Sequence, residues 1–83
     1  MRIKPDNAQA HSNFGALLAA QGKVDEAIRE YTEALRLKPN DPMLHYNLGT
    51  MLKAKGNALR AMDEFAAASR LQPGFAEANR PRF

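Results

Sequence analysis

The chain has 83 residues and 9.2 kDa, 45% of them hydrophobic and 25% charged, with a formal net charge of +3 and no cysteine. That length allows one domain and excludes a two-domain enzyme, and the lack of cysteine removes disulfides, a thiolate nucleophile and cysteine-ligated zinc. The composition is that of a folded chain, and neither a bilayer-length apolar run nor a signal-peptide core is present, so a cytoplasmic location is expected.

Residues 1–7 read as an N-terminal tail or the end of a preceding unit, because Ile3-Lys4-Pro5-Asp6-Asn7 has the pattern of Leu37-Lys38-Pro39-Asn40-Asp41. A first helix follows, with Ala10, Phe14, Leu17, Leu18 and Gln21 on one stripe and Gly22 where a left-handed residue can close it. In the second helix Val24, Ala27, Ile28, Tyr31, Ala34 and Leu35 keep the i, i+3, i+4, i+7 spacing, and Pro39 forbids continuation. Asp25 and Arg29 are expected as an exposed i,i+4 pair on its other face. Asp41 suits the cap of a third helix with Pro42 at its first position, and Leu44, Leu48, Met51 and Leu52 form the buried stripe before Gly56. Asn57 caps a fourth helix, whose inner face is Ala58, Ala61, Met62, Phe65, Ala68 and Leu71, ended by Pro73-Gly74. The remaining stub has room for one or two helical turns before Pro81. No strand pattern occurs anywhere.

The second pair of helices copies the first at an offset of 34 residues. His11 meets His45, Asn13 meets Asn47, Gly15 meets Gly49, Leu18 meets Leu52 and Gly22 meets Gly56. Further on, Ala27 meets Ala61, Glu30 meets Glu64, Ala34 meets Ala68, Leu37 meets Leu71 and Pro39 meets Pro73. The chain therefore divides into the tail at 1–7, one repeat at 8–41, a second at 42–75 and a stub at 76–83. Gly15, Ala27, Gly49 and Ala61 are small where paired helices cross, and Phe14, Tyr31, Leu48 and Phe65 fill the space beside each crossing.

In repeat coordinates, Gly15 and Gly49 stand at the eighth position, Ala27 and Ala61 at the twentieth, and Tyr31 and Phe65 at the twenty-fourth. Ala34 and Ala68 occupy the twenty-seventh and Pro39 and Pro73 the thirty-second. This pattern resembles the tetratricopeptide repeat over essentially the whole chain. Departures are His11 and His45 for the family's frequent Trp, Leu18 and Leu52 for an aromatic, and Leu59-Arg60 where the first unit has Asp25-Glu26. The resemblance implies an all-α fold, a right-handed superhelical solenoid of stacked antiparallel helix pairs. It also implies that the leading helix of each unit lines a concave groove that holds a peptide.

Projecting that geometry turns Gln9, Ser12, Asn13, Ala16 and Ala19, then Met43, Tyr46, Asn47, Thr50 and Lys53, toward the groove. The expected peptide-binding set is Asn13, Asn47, Gln9, Ser12, Tyr46, Thr50 and Lys53. A carboxamide can both donate to and accept from a peptide backbone, so Asn13 and Asn47 would form a ladder that ignores the ligand's side chains. The carboxylate clamp of some family members is not expected: Asn47 fits, but Ser12, Ala16, Glu77 and Pro81 stand at its other positions.

His11 and His45 are expected to pack between repeats rather than to bind metal, since equivalent residues lie roughly 10 Å apart with no carboxylate at ligand spacing. Asp25, Glu26, Glu30 and Glu33 read as a solvated outer face, and no nucleophile triad or phosphate loop occurs. The expectation is a non-enzymatic module without cofactor, metal or membrane contact, bound to a protein or peptide partner. Self-assembly, or service as a spacer in a longer array, is the alternative. Weak nucleic-acid binding is a second alternative, disfavoured because the basic residues are dispersed and lack aromatic interleaving. Two repeats leave Met62 and Phe65 without a following helix, so self-association through the C-terminal end, or membership of a longer array, is also expected.

Overall fold

The computed structural model describes residues 7–74; expectations for the tail before residue 7 and for the stub at 76–83 lie outside the described residues. Four helices follow in order: α1 (Ala8–Ala20), α2 (Val24–Leu37), α3 (Pro42–Lys55) and α4 (Ala58–Leu71). The chain is an all-α helical repeat solenoid, without a strand among the described residues.

Short polar side chains start three of the four helices. Asn7 Oδ1 accepts from the Ala10 N–H at 3.0 Å, Asp41 Oδ1 from the Met43 N–H at 2.9 Å, and Asn57 Oδ1 from the Arg60 N–H at 3.3 Å. α2 begins at Lys23 without a side-chain cap, and Asp25 and Glu26 in its first turn face the helix dipole instead. The ends of α1 and α3 are built alike. Lys23 N–H reaches Leu18 C=O at 2.9 Å and Gly22 N–H reaches Ala19 C=O at 3.0 Å; Asn57 to Leu52 and Gly56 to Lys53 repeat the bonds at 2.8 and 3.0 Å. This closure needs a left-handed residue, which Gly22 (φ 77°) and Gly56 (φ 94°) supply.

α1 packs on α2 and α3 on α4, while α2 packs on α3 and joins the two hairpins. Flanked on two sides, α3 buries Leu44, Leu48, Gly49 and Leu52. Each of those leucines contributes about 1.5–3 kcal/mol by leaving water. Leu48 and Leu52 share one cluster with Leu18, Ala27, Tyr31 and Ala61, and Leu44 joins Ala8 and Ala34 in a second.

The expected stripes need three corrections. Leu17 is 45% exposed and Gln21 is exposed, although both were placed on the buried stripe of α1. Met62 and Leu71, assigned to the inner face of α4, are 65% and 41% exposed, and Ala58 is exposed too. Among the described residues α1 packs mainly on α2 and α4 mainly on α3, so part of an apolar stripe with the right period is left uncovered by them. Finally, Asp25 hydrogen-bonds Lys55 of α3, at 2.5 Å from Nζ, and Arg29 adds only a weaker through-space attraction.

Candidate functional site

The candidate groove is formed by the two leading helices, α1 and α3, whose equivalent residues recur every 34 positions. Gln9 and Ser12 line a surface recess with Met43, Leu44, Lys38 and Asp41, so the N-terminal parts of α1 and α3 meet there across the α2–α3 loop. The sequence pattern placed Gln9, Ser12 and Met43 toward the groove, whereas Lys38 and Asp41 come from the connection and carry no helical period.

Asn13 is exposed, and its Oδ1 accepts from Gln9 Nε2 at 2.9 Å. Its NH2 group keeps both donors for another acceptor. Asn47 is half-buried, and its side chain makes no hydrogen bond among the described residues. Four residues before it stands Met43, which cannot supply the amide that Gln9 offers Asn13. The two asparagines are therefore equivalent in position and different in tether.

Thr50 turns its Oγ1 back to the Tyr46 carbonyl oxygen at 3.0 Å. The Tyr46 ring lies 5.4 Å from that of Phe65 at an interplanar angle of 51°, so one flank of it belongs to the α3–α4 contact. Lys53 is exposed near the end of α3.

The histidines behave differently from expectation. His11 Nδ1 lies 2.7 Å from Glu30 Oε1, and His45 Nδ1 lies 2.7 Å from Glu64 Oε1, each pair spanning the two helices of one hairpin. Each is thus paired inside its own hairpin, which the sequence did not predict, and Glu30 is half-buried rather than part of a solvated face. His45 also reaches between units, since its Nε2 lies 2.8 Å from the Pro39 carbonyl oxygen on the α2–α3 connection. A signal for these pairs existed: His11 with His45 and Glu30 with Glu64 recur together in the 34-residue comparison.

The other ion pairs lie off the groove. Lys55 holds the Asp25 carboxyl below its ordinary range by a hydrogen bond and by charge. Arg36 does the same to Glu33 on the exposed side of α2. Burial raises the Tyr31 hydroxyl above its ordinary value. No group of three or more potential metal ligands occurs among the described residues, and none of their helices is long and apolar enough to cross a membrane.

Comparison with known proteins fits this geometry. The TPR repeat family model matches residues 15–56, half of the chain. Among solved structures, the one described as MamA AMB-1 is 30% identical and superposes with a TM-score of 0.82 over 95% of this chain. The match covers 44% of that chain, so the present sequence spans less than half its length. No curated protein matches by sequence.

Proposed function

The chain belongs to the tetratricopeptide repeat family, and from that premise we propose that it is a non-catalytic interaction module whose α1–α3 face binds an extended peptide segment of a partner protein. The supporting observation is the pair Asn13 and Asn47. Asparagine inside a helix costs several tenths of a kcal/mol relative to alanine. At Asn47 no side-chain hydrogen bond among the described residues offsets that cost, and at Asn13 the tether to Gln9 takes only the oxygen. Both carboxamides are thus available to a peptide backbone, whose N–H and C=O groups demand both kinds of partner. Gln9 and Ser12 extend the polar row at one end, and Thr50 and Lys53 at the other. Tyr46 supplies an aromatic flank beside Asn47.

The test uses random peptides displayed on phage and selected against the 83-residue chain. Selected peptides are then titrated against the protein with both Asn13→Ala and Asn47→Ala. Affinity is expected to fall about tenfold or more, equivalent to roughly 1.4 kcal/mol, while the melting temperature stays level or rises. Peptides that bind the double variant undiminished would count against the groove.

A further inference from the structure

The recess between the N-terminal parts of α1 and α3 has a volume of about 140 Å³. Its lining includes Ala8 and Leu44, both buried members of the cluster that also holds Ala34, so the opening leads directly onto a piece of the core. Met43 lines it as well, yet belongs to neither core cluster and is 44% exposed. Its equivalent in the first unit is the polar Gln9, which lines the recess from α1. An exposed thioether beside a buried leucine is a surface that adapts to a further apolar group.

Position ties this recess to the two asparagines. Gln9 precedes Asn13 by four residues and Met43 precedes Asn47 by four, so each lies one turn, about 5.4 Å, toward its helix N-terminus on the same face. A peptide strand that crosses α1 and α3 on the two carboxamides therefore passes beside the opening. Successive side chains of an extended strand point to opposite sides, and those on the N-terminal side of the crossing are aimed at the recess.

Charge does not choose the occupant. Lys38 and Asp41, of opposite sign, both line the recess, and the Asp41 carboxylate already holds the Met43 N–H at 2.9 Å. A charged side chain of either sign would gain one of them, oppose the other, and give up water over Ala8 and Leu44. An aliphatic side chain has no such loss and enlarges the Leu44 cluster. The volume is close to the roughly 150 Å³ of an apolar cavity that takes one benzene-sized group, so a single side chain fits. We infer that the recess is a specificity pocket for one aliphatic side chain, of leucine or methionine size, in the partner's extended segment. For the path of the peptide this rests on the α1–α3 groove reading; it adds a preference for sequence that carboxamides on a peptide backbone do not supply.

Peptides selected on phage against the 83-residue chain are aligned, and the aliphatic residue they share is changed to alanine. Against the wild type this change is expected to weaken binding about tenfold or more, as the loss of one buried aliphatic side chain would. Met43→Trp fills the recess from an exposed position. It should weaken the parent peptide, and against it the alanine change should cost little, which is the coupling expected of two groups that share one space. Ser12→Leu is a second filling variant should Met43→Trp alter the helical content seen by circular dichroism. The protein with Asn13→Ala and Asn47→Ala separates the two readings, since it should weaken both peptides by the same factor and leave the gap between them intact. Asparagine-dependent binding with an alanine cost that is the same in wild type and in both filled variants would overturn the pocket and leave the groove standing. Undiminished binding to the asparagine variant, with a gap that Met43→Trp still closes, would support the pocket and count against the groove. Selected peptides that require Asp or Glu at that position, and lose the requirement with Lys38→Gln, would overturn the aliphatic assignment.

Discussion

A methyl group placed on Gly49 would lie 2.7 Å from Phe65 Cε1 and 3.2 Å from the Ala61 carbonyl oxygen. On Gly15 the nearest atoms are those of the Tyr31 ring, at 3.0–3.2 Å. Alanine improves helix propensity by about 1 kcal/mol over glycine, and overpacking costs about 1–3 kcal/mol. At Gly49 a fixed backbone oxygen resists relaxation, so the clash prevails and Gly49→Ala is expected to lose about 1–2 kcal/mol. At Gly15 only an aromatic ring must shift, and Gly15→Ala is expected to lose less than about 1 kcal/mol. Urea denaturation of both variants measures the difference, and equal losses would contradict it. These crossings were legible because small and aromatic residues recur together at one offset. The histidine–glutamate pairs were not recognised, because a residue's place on its own helix does not reveal which side chain of the next helix it meets.

For single helices, capping chemistry proved as legible as period. Asp41 and Asn57 cap α3 and α4, and Gly22 and Gly56 terminate α1 and α3, as their residue types require. Asp41→Ala is expected to cost about 1 kcal/mol, read by thermal melting. Leu17, Met62 and Leu71 were harder to place: a helical period tells which side a residue occupies, and only the tertiary arrangement tells whether another helix covers that side. The charges on α2 lead to a pH prediction. Folding lowers the Asp25 and Glu33 carboxyls below their ordinary values of 3.8 and 4.5, through Lys55 and Arg36 respectively. A carboxyl lowered on folding stabilises the fold above its unfolded value and loses that effect as pH falls through the folded one. Melting temperature should therefore decline as pH drops below about 4. The gap between wild type and Lys55→Gln should close over the same range and shrink with added salt, because the pair is exposed. A gap that widens on acidification would contradict the assignment.

Across the whole molecule, two hairpins joined through α2 and α3 separate two surfaces with different chemistry. The proposed groove side, on α1 and α3, carries amides and hydroxyls, while α4 exposes Leu59 and Met62. The helices were legible from their apolar period, and the solenoid from the resemblance that the 34-residue repeat and its small and aromatic positions carry. The division of Asn13 and Asn47 into tethered and untethered carboxamides was not, because it turns on whether residue i−4 of α1 or α3 can supply an amide. Both surfaces suit protein partners, and no measurable RNA affinity is expected at moderate salt, where contacts from dispersed basic residues are screened. The proposed groove is tested most directly by backbone and side-chain amide NMR shifts during titration with a phage-selected peptide. The largest changes are expected at Ser12, Asn13, Asn47 and Thr50, including the carboxamide resonances of both asparagines. Changes confined to α4 around Leu59 and Met62, or to the Arg29 and Arg36 side of α2, with α1 and α3 unmoved, would contradict a groove formed by the leading helices.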